Sequence, residues 1–298
     1  MYWILAALGS SAIFGWMNIA DRILLSRHFP IVSVFFIWEG IFLASSGTTV
    51  LLIAGIPDSG EGILLAYLSG LIWGAGLMCV FLGFRIEEAS RAVAIYQTFP
   101  VFVAILALIF LDEMLNAGQW MGILAVVVGA VIISFRGSLS SGLLRFNRAL
   151  PVLVASSFLI AVGLLISKPA LDLMPVYDVF MFRSLGMACI FFLFFRPAHL
   201  SGLRSSLKNK RVMGLFVLAE LVGSNIALSL VLIATDLGPV SLVSSLMATR
   251  PLFVFAYSTF LSTPRLHVLD EPLKKEVLLQ KSVAVAAIIG GVCMVSLW

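Results

Sequence analysis

Ten apolar stretches, each about as long as a bilayer is thick, divide this chain, with only short polar breaks between them. They run over residues 2–21, 31–53, 62–83, 89–111, 119–135, 149–167, 176–195, 212–234, 239–261 and 282–297. A helix needs about 20 apolar residues to cross the hydrocarbon core. Breaks such as "PDSGEG" (57–62), "LDEMLNAG" (111–118) and "KNKR" (208–211) are too short to hold a folded unit, and the longest, 262–281, reads as one loop with a short amphipathic piece. Only 11% of residues are charged and 61% are hydrophobic, against about 25% charged in soluble domains. With a mean hydropathy of +1.11, the chain cannot cover one water-soluble core with polar groups. In lipid the backbone must satisfy its own hydrogen bonds, so the expected fold is an all-α integral membrane protein with ten transmembrane helices.

Several function classes lack their residues. The net charge of +4 comes from basic residues scattered through short loops, which is no footprint for nucleic acid. The first stretch has no basic leader and the next apolar stretch follows closely, so it reads as a span and not a cleaved signal. Cys79, Cys189 and Cys293 lie inside apolar stretches and read as small packing residues. His28, His199 and His267 fall in loops, which leaves no base for intramembrane nucleophilic chemistry. The acidic pairs at 87–88, 112–113 and 270–271 put adjacent side chains in loops, so no metal or other cofactor is expected. No G-x-x-x-x-G-K-[ST] loop is present, which argues against ATP-driven pumping.

The stretches repeat. "SRAVAIYQTFPVFVAILALIFL" (90–111) lies over "SLVSSLMATRPLFVFAYSTFLS" (241–262) without a gap, matching Ser90 to Ser241, Thr98 to Thr249, Pro100 to Pro251 and Phe102 to Phe253. "LDEML" (111–115) then echoes "LDEPL" (269–273), and "GAVIISF" (129–135) echoes "GGVCMVS" (290–296). Two five-span units are expected, 1–137 and 149–298, joined by a loop at 138–148. Five is odd, so the second unit enters from the opposite side, giving an inverted repeat. Sixteen of the 19 Lys and Arg residues fall in loops 1–2, 3–4, 5–6, 7–8 and 9–10. The positive-inside rule puts those loops in the cytoplasm and both termini outside.

These residues resemble two EamA domains of the drug/metabolite transporter superfamily. The pattern is a mid-span proline, an apolar run, an acidic residue, a glutamine and a glycine-rich last helix. It reads Pro100, Glu113, Gln119, Gly122 and Gly129 in the first half, and Pro251, Glu271, Gln280 and Gly290 in the second. Gly15 with Arg22, and Lys168, fit a slot near the end of each first span. An arginine early in the second span of each half is usual in the family. Arg183 fills it in the second half, whereas the first half has Trp38 and Glu39. The family's usual orientation has termini inside, opposite to the charge pattern here.

The resemblance implies a secondary transporter that moves a small polar organic solute, such as an amino acid or related metabolite, by alternating access. It points to export across a prokaryotic cytoplasmic (inner) membrane, with an ion gradient, protons first, as energy source. Lipid-linked sugar or nucleotide-sugar carriers and flippases share the fold. A membrane-embedded enzyme or a structural membrane protein is the reading of another class, and enzymatic activity is not expected. Partners are the solute and the bilayer, with no nucleic acid. Ten spans suffice for a pathway in a monomer, and a homodimer stays open.

Four ionisable residues fall deep inside spans: Glu39, Arg183, Glu220 and Arg250. Each costs about 3 kcal/mol at the bilayer centre by insertion scales, so each is expected to face protein or a watery cavity. Glu39 and Arg183 hold near-equivalent places in the two halves and are expected to face each other. The expected solute-binding set is Glu39, Tyr96, Gln97, Arg183, Glu220, Asn225 and Arg250, with Glu39 and Glu220 carrying a coupling proton. Asn18, Trp38, Trp73 and Tyr257 are more ordinary packing residues. Pro251 strips the Met247 carbonyl of its helical donor and Pro100 does the same to Tyr96, so bends are expected at both prolines, lining a site. The uncharged last spans of each half are expected to be lipid-facing support.

Overall fold

The computed structural model describes residues 2–27, 32–86, 95–134, 149–193, 195–207, 209–261 and 275–297, and these are helical with short turns and no strand. The first half holds α1 (Tyr2–Arg27), α2 (Val32–Ala54), α3 (Gly60–Ile86), α4 (Phe99–Phe110) and α5 (Ala117–Ser134). The second holds α6 (Ala149–Leu173), α7 (Val176–Phe192), α8 (Leu200–Ser206), α9 (Lys210–Phe216), α10 (Ser224–Leu237), α11 (Val240–Met247), α12 (Arg250–Leu261) and α13 (Lys275–Leu297).

Among the described residues, six spans are long and apolar enough to cross a membrane: Tyr2–Asp21, Ser33–Ala54, Gly60–Gly83, Leu150–Leu173, Lys210–Leu237 and Val240–Ser258. Phe99–Phe110, Ala117–Ile132 and Ser282–Val295 are apolar but shorter, and α7 has 17 residues. The chain is thus an integral, multi-pass membrane protein, and six of the ten expected crossings meet the length criterion outright. Boundaries differ from expectation in instructive places. α1 runs on to Arg27, so Arg22 and Arg27 lie on its last turns and not in a loop. The fourth span is interrupted by a turn at Gln97–Thr98, with Ile95 and Tyr96 helical before it and α4 starting at Phe99. The ninth is interrupted at Ala248–Thr249. The eighth carries a π turn, Val217–Gly223, between α9 and α10. Charged stretches 87–94, 135–148 and 262–274, with Arg91 and Glu271 among them, lie outside the described residues.

Glycine sets how close the helices come. α3 packs against both α6 and α7. A methyl group at Gly70 would overlap the Arg183 backbone, and one at Gly163 would sit 2.9 Å from the Trp73 nitrogen. Small residues let helix backbones approach where lipid supplies no hydrophobic drive. α2 runs antiparallel to α7, with Gly40 on Phe192 and Gly47 on Leu185. α5 runs antiparallel to α13, where Gly122 and Gly291 face each other so closely that a Cβ on Gly122 would come within 2.9 Å of the Gly291 carbonyl. α1 runs antiparallel to α10, with Gly238 on Trp3 and Gly9 on Leu230. Large apolar side chains such as Leu52, Ile53, Ile109, Phe110 and Ile289 point outward, as a lipid-facing surface requires.

Side chains fix the starts of α5 and α11, among others. Asn116 and Gln119 exchange bonds, each accepting the other's backbone N–H at 2.8 and 3.0 Å. That reciprocal cap starts α5. Glu113 accepts the Val240 and Ser241 amides at 2.6 and 3.0 Å and the Ser241 hydroxyl. Its carboxylate therefore ties the end of α4 to the exposed N–H groups of α11. Glu113 lies in a loop but is not left to solvent, because α11 begins beside it.

Candidate functional site

The polar residues of the interior gather where regular helix fails. Pro100 is in the first turn of α4, where its missing N–H leaves no gap inside the helix. The chain before it turns, with the Thr98 amide on the Ile95 carbonyl at 3.2 Å and the Val101 amide on the Thr98 carbonyl at 3.1 Å. The second half repeats this: the Thr249 amide bonds the Leu246 carbonyl at 3.1 Å and the Leu252 amide bonds the Thr249 carbonyl at 2.9 Å. Thr98 and Thr249 also donate their hydroxyls to the Ile95 and Leu246 carbonyls, both at 2.7 Å. The expected bends are therefore complete breaks, each made by a threonine that turns the chain and a proline that restarts the helix.

These breaks deliver site residues. Gln97, in the first, is completely buried, and neither end of its amide has a protein hydrogen-bond partner. Tyr96 is buried beside it. Arg250 opens α12 after the second break. Its guanidinium lies 4.3 Å from the Phe14 ring centroid, and one nitrogen reaches the Tyr96 hydroxyl at 3.4 Å. Its buried Nε has no protein partner. The two breaks thus touch through Arg250 and Tyr96.

The acidic residues form the second part of the site. The π turn carries Glu220, whose carboxyl lies within hydrogen-bonding reach of both Asp21 of α1 and Glu39 of α2. Arg250 is close enough to act electrostatically on Asp21. Asp21, Glu39 and Glu220 each present one buried carboxyl oxygen with no protein partner. Asn225, on the next turn, donates to the Ser46 hydroxyl at 2.7 Å and the Leu221 carbonyl at 2.6 Å, and its buried amide oxygen is unpartnered. Ser224 bonds back to the Glu220 carbonyl. π turns are rare and concentrate at functional positions. Among the described residues, no group of three or more His, Cys, Asp or Glu side chains could hold a metal ion.

Arg183 stands apart, which corrects the expected face-off with Glu39. Gly40 and Gly47 of α2 lie on Phe192 and Leu185 of antiparallel α7. Glu39 is therefore level with the C-terminal end of α7, roughly 15 Å along the axis from Arg183. Arg183 is wedged instead among α3, α6 and α7: it donates to the Ser69 hydroxyl at 2.8 Å and more weakly to the Gly163 carbonyl at 3.4 Å, with its guanidinium 4.4 Å from the Trp73 ring centroid. Two of its nitrogens have no protein partner. Trp73 is thereby more than a packing residue. Trp38 bonds Ser206 at 2.9 Å and Tyr257 packs near Phe253, with ring centroids 6.4 Å apart.

Sequence reasoning missed Asp21, which ends the first apolar stretch and reads there as an interfacial group. It also missed Ser11 and Ser157, which bond the carbonyls at the breaks. The signal for the serines was present: each half has a Ser-Ser pair in its first span, at 10–11 and 156–157.

This arrangement can be set beside known proteins. The model of the EamA-like transporter family matches over residues 1–135. A protein of Sinorhizobium sp, described as an uncharacterized transporter in the cobO 3' region, is 32% identical over 75 residues, which cover 25% of this chain and 53% of that protein. The matched stretch thus spans about half of that relative. A solved structure, described only as the crystal structure of a protein, superposes over 99% of this chain and 96% of its own with a TM-score of 0.71 at 16% identity. That likeness concerns the fold alone. The EamA-like segment contains Asp21, Glu39, Tyr96, Gln97, Pro100 and Glu113. Glu220 and Arg250, which complete the site, come from beyond it.

Proposed function

We propose that the protein is a secondary transporter for a small polar organic solute of the amino-acid class, exporting it across a prokaryotic cytoplasmic membrane by alternating access. One observation carries this reading: three carboxyl groups and an arginine meet where the π turn and a proline break open the backbone, inside an apolar bundle. Purely structural charges would be expected to close into satisfied ion pairs, because unpaired charge inside a membrane is costly. Here Arg250 and Gln97 offer donors and Asp21, Glu39, Glu220 and Asn225 offer acceptors without protein partners. A zwitterionic solute presents both complements.

Glu39 and Glu220, now with Asp21, carry the coupling proton on this reading. Carboxyl groups within hydrogen-bonding reach hold together only with a proton or a cation between them. Solute and proton then compete for the same oxygens, which is the linkage an exchanger needs. Arg183, Ser69 and Trp73 form a separate polar station nearer the opposite end of α7.

The same reading makes 1–137 and 149–298 inverted five-helix repeats. It is supported by the antiparallel pairing of α2 with α7 and of α5 with α13, the relation expected of symmetry mates about an axis in the membrane plane. Loops 1–2, 3–4, 5–6, 7–8 and 9–10 then face the cytoplasm. The test is to preload liposomes holding the purified protein with a pooled metabolite extract and follow by mass spectrometry which solutes exchange against an external pool. A few solutes exchanging saturably support a carrier. A linear, non-selective leak contradicts it.

A further inference from the structure

Each proline break is held by a serine from the other half of the chain. Ser157, on α6, donates toward the Tyr96 and Ile95 carbonyls at 3.0 and 3.1 Å. Ser11, on α1, donates toward the Leu246 and Met247 carbonyls at 3.1 and 3.2 Å. Tyr96 and Met247 stand four residues before Pro100 and Pro251, whose missing N–H cannot serve their carbonyls across the breaks. They occupy one position when 90–111 is laid over 241–262. Both serines are completely buried. A buried hydroxyl needs an acceptor and a bare carbonyl at membrane depth needs a donor, and each pair meets both needs at once.

We propose that Ser11 and Ser157 are positioning residues for solute transport, an inference that rests on the carrier reading above. Ser157 fixes the turn that presents Tyr96 and Gln97. Ser11 fixes the turn that presents Arg250. Neither serine touches the acidic trio, so each acts through the break it holds. Each hydroxyl has one hydrogen and two carbonyls in reach, so rotation about its side chain hands the bond from one carbonyl to the next as the break moves. The cap therefore holds the break without freezing it. Because the caps cross between halves, movement of α1 is transmitted to the break before α12, and movement of α6 to the break before α4.

Two measurements on the full-length protein in lipid nanodiscs and liposomes test this. Hydrogen–deuterium exchange reads the breaks directly. Ser157→Ala is expected to speed exchange of amides 95–101 about fivefold with 246–252 unchanged, Ser11→Ala to do the reverse, and Ser→Thr at either position to restore the wild-type rates. Counterflow of a solute identified with the wild type reads the positioning. Both alanine variants are expected to raise the half-saturating concentration more than they lower the maximal rate, again with rescue by threonine. Unchanged local exchange in both alanine variants would overturn the caps. Altered exchange with unchanged half-saturation would overturn the positioning role. Absence of counterflow in the wild type would instead remove the carrier reading and with it any transport role for the serines, while the exchange data would still report whether the serines hold the breaks. Should an alanine variant fail to yield monodisperse protein, Ser→Cys, which keeps a weak donor, replaces it and is expected to fall between alanine and threonine.

Discussion

At the residue scale, side chains were legible by type but not by partner. Glu39, Glu220 and Arg250 stand out as charges in apolar sequence, and all three are buried within the bundle. Their pairing was not legible, because it depends on the depth at which antiparallel helices meet. The glycine contacts of α2 on α7 carry Glu39 away from Arg183, while the π turn brings Glu220 to Glu39 and Asp21. Asp21 was hidden by its place at the end of an apolar run. If the trio couples protons to solute, Glu220→Gln is expected to leave solute–solute exchange running but abolish its response to an imposed pH gradient, read in liposomes with the gradient clamped in either direction. Glu113 belongs to a different class. It caps α11 and is not part of the trio. Glu113→Ala is expected to cost about 1–2 kcal/mol, seen as a melting temperature a few degrees lower, without altering the half-saturating concentration.

At the element scale, the ten apolar stretches and the matching Thr-x-Pro frames located both irregular points from sequence. Their form required the structure. A proline alone predicts a kink, whereas the threonine two residues earlier turns the chain and makes a full break, as the Thr98 and Thr249 hydrogen bonds show. The π turn left no sequence signature, since an extra residue in a helix is a matter of packing around Glu220 and Gly223. Pro251→Ala returns an N–H to the Met247 carbonyl. It is expected to close the break, raise thermal stability and slow counterflow about tenfold. Equal rates in the variant would mean that the break has no part in transport. The α5–α13 contact is expected to be independent of the site: Gly291→Leu should force Gly122 away and lower the melting temperature, with little effect on solute affinity.

At the scale of the whole molecule, composition and loop charge predicted a multi-pass bundle with a fixed orientation. Cysteines introduced at Asp58 and Ser140, with Cys79, Cys189 and Cys293 replaced by serine, should react with an impermeant maleimide from opposite sides, Asp58 from outside and Ser140 from the cytoplasm. The candidate site is assembled from both halves: the acidic trio draws on α1, α2 and the π turn, and the donors on the two breaks. Neither half contains it alone, which is why the EamA-like match to residues 1–135 covers only part of the site. The most direct test of the account is counterflow of one identified solute by wild type, Arg250→Ala and Gln97→Ala in parallel liposomes. Saturable exchange in the wild type, with half-saturation raised about tenfold or more in both variants as expected when a buried charge or amide partner is lost, is the predicted result. Wild-type kinetics in both variants would contradict it, and would leave the breaks and their buried polar groups as structural features of the bundle.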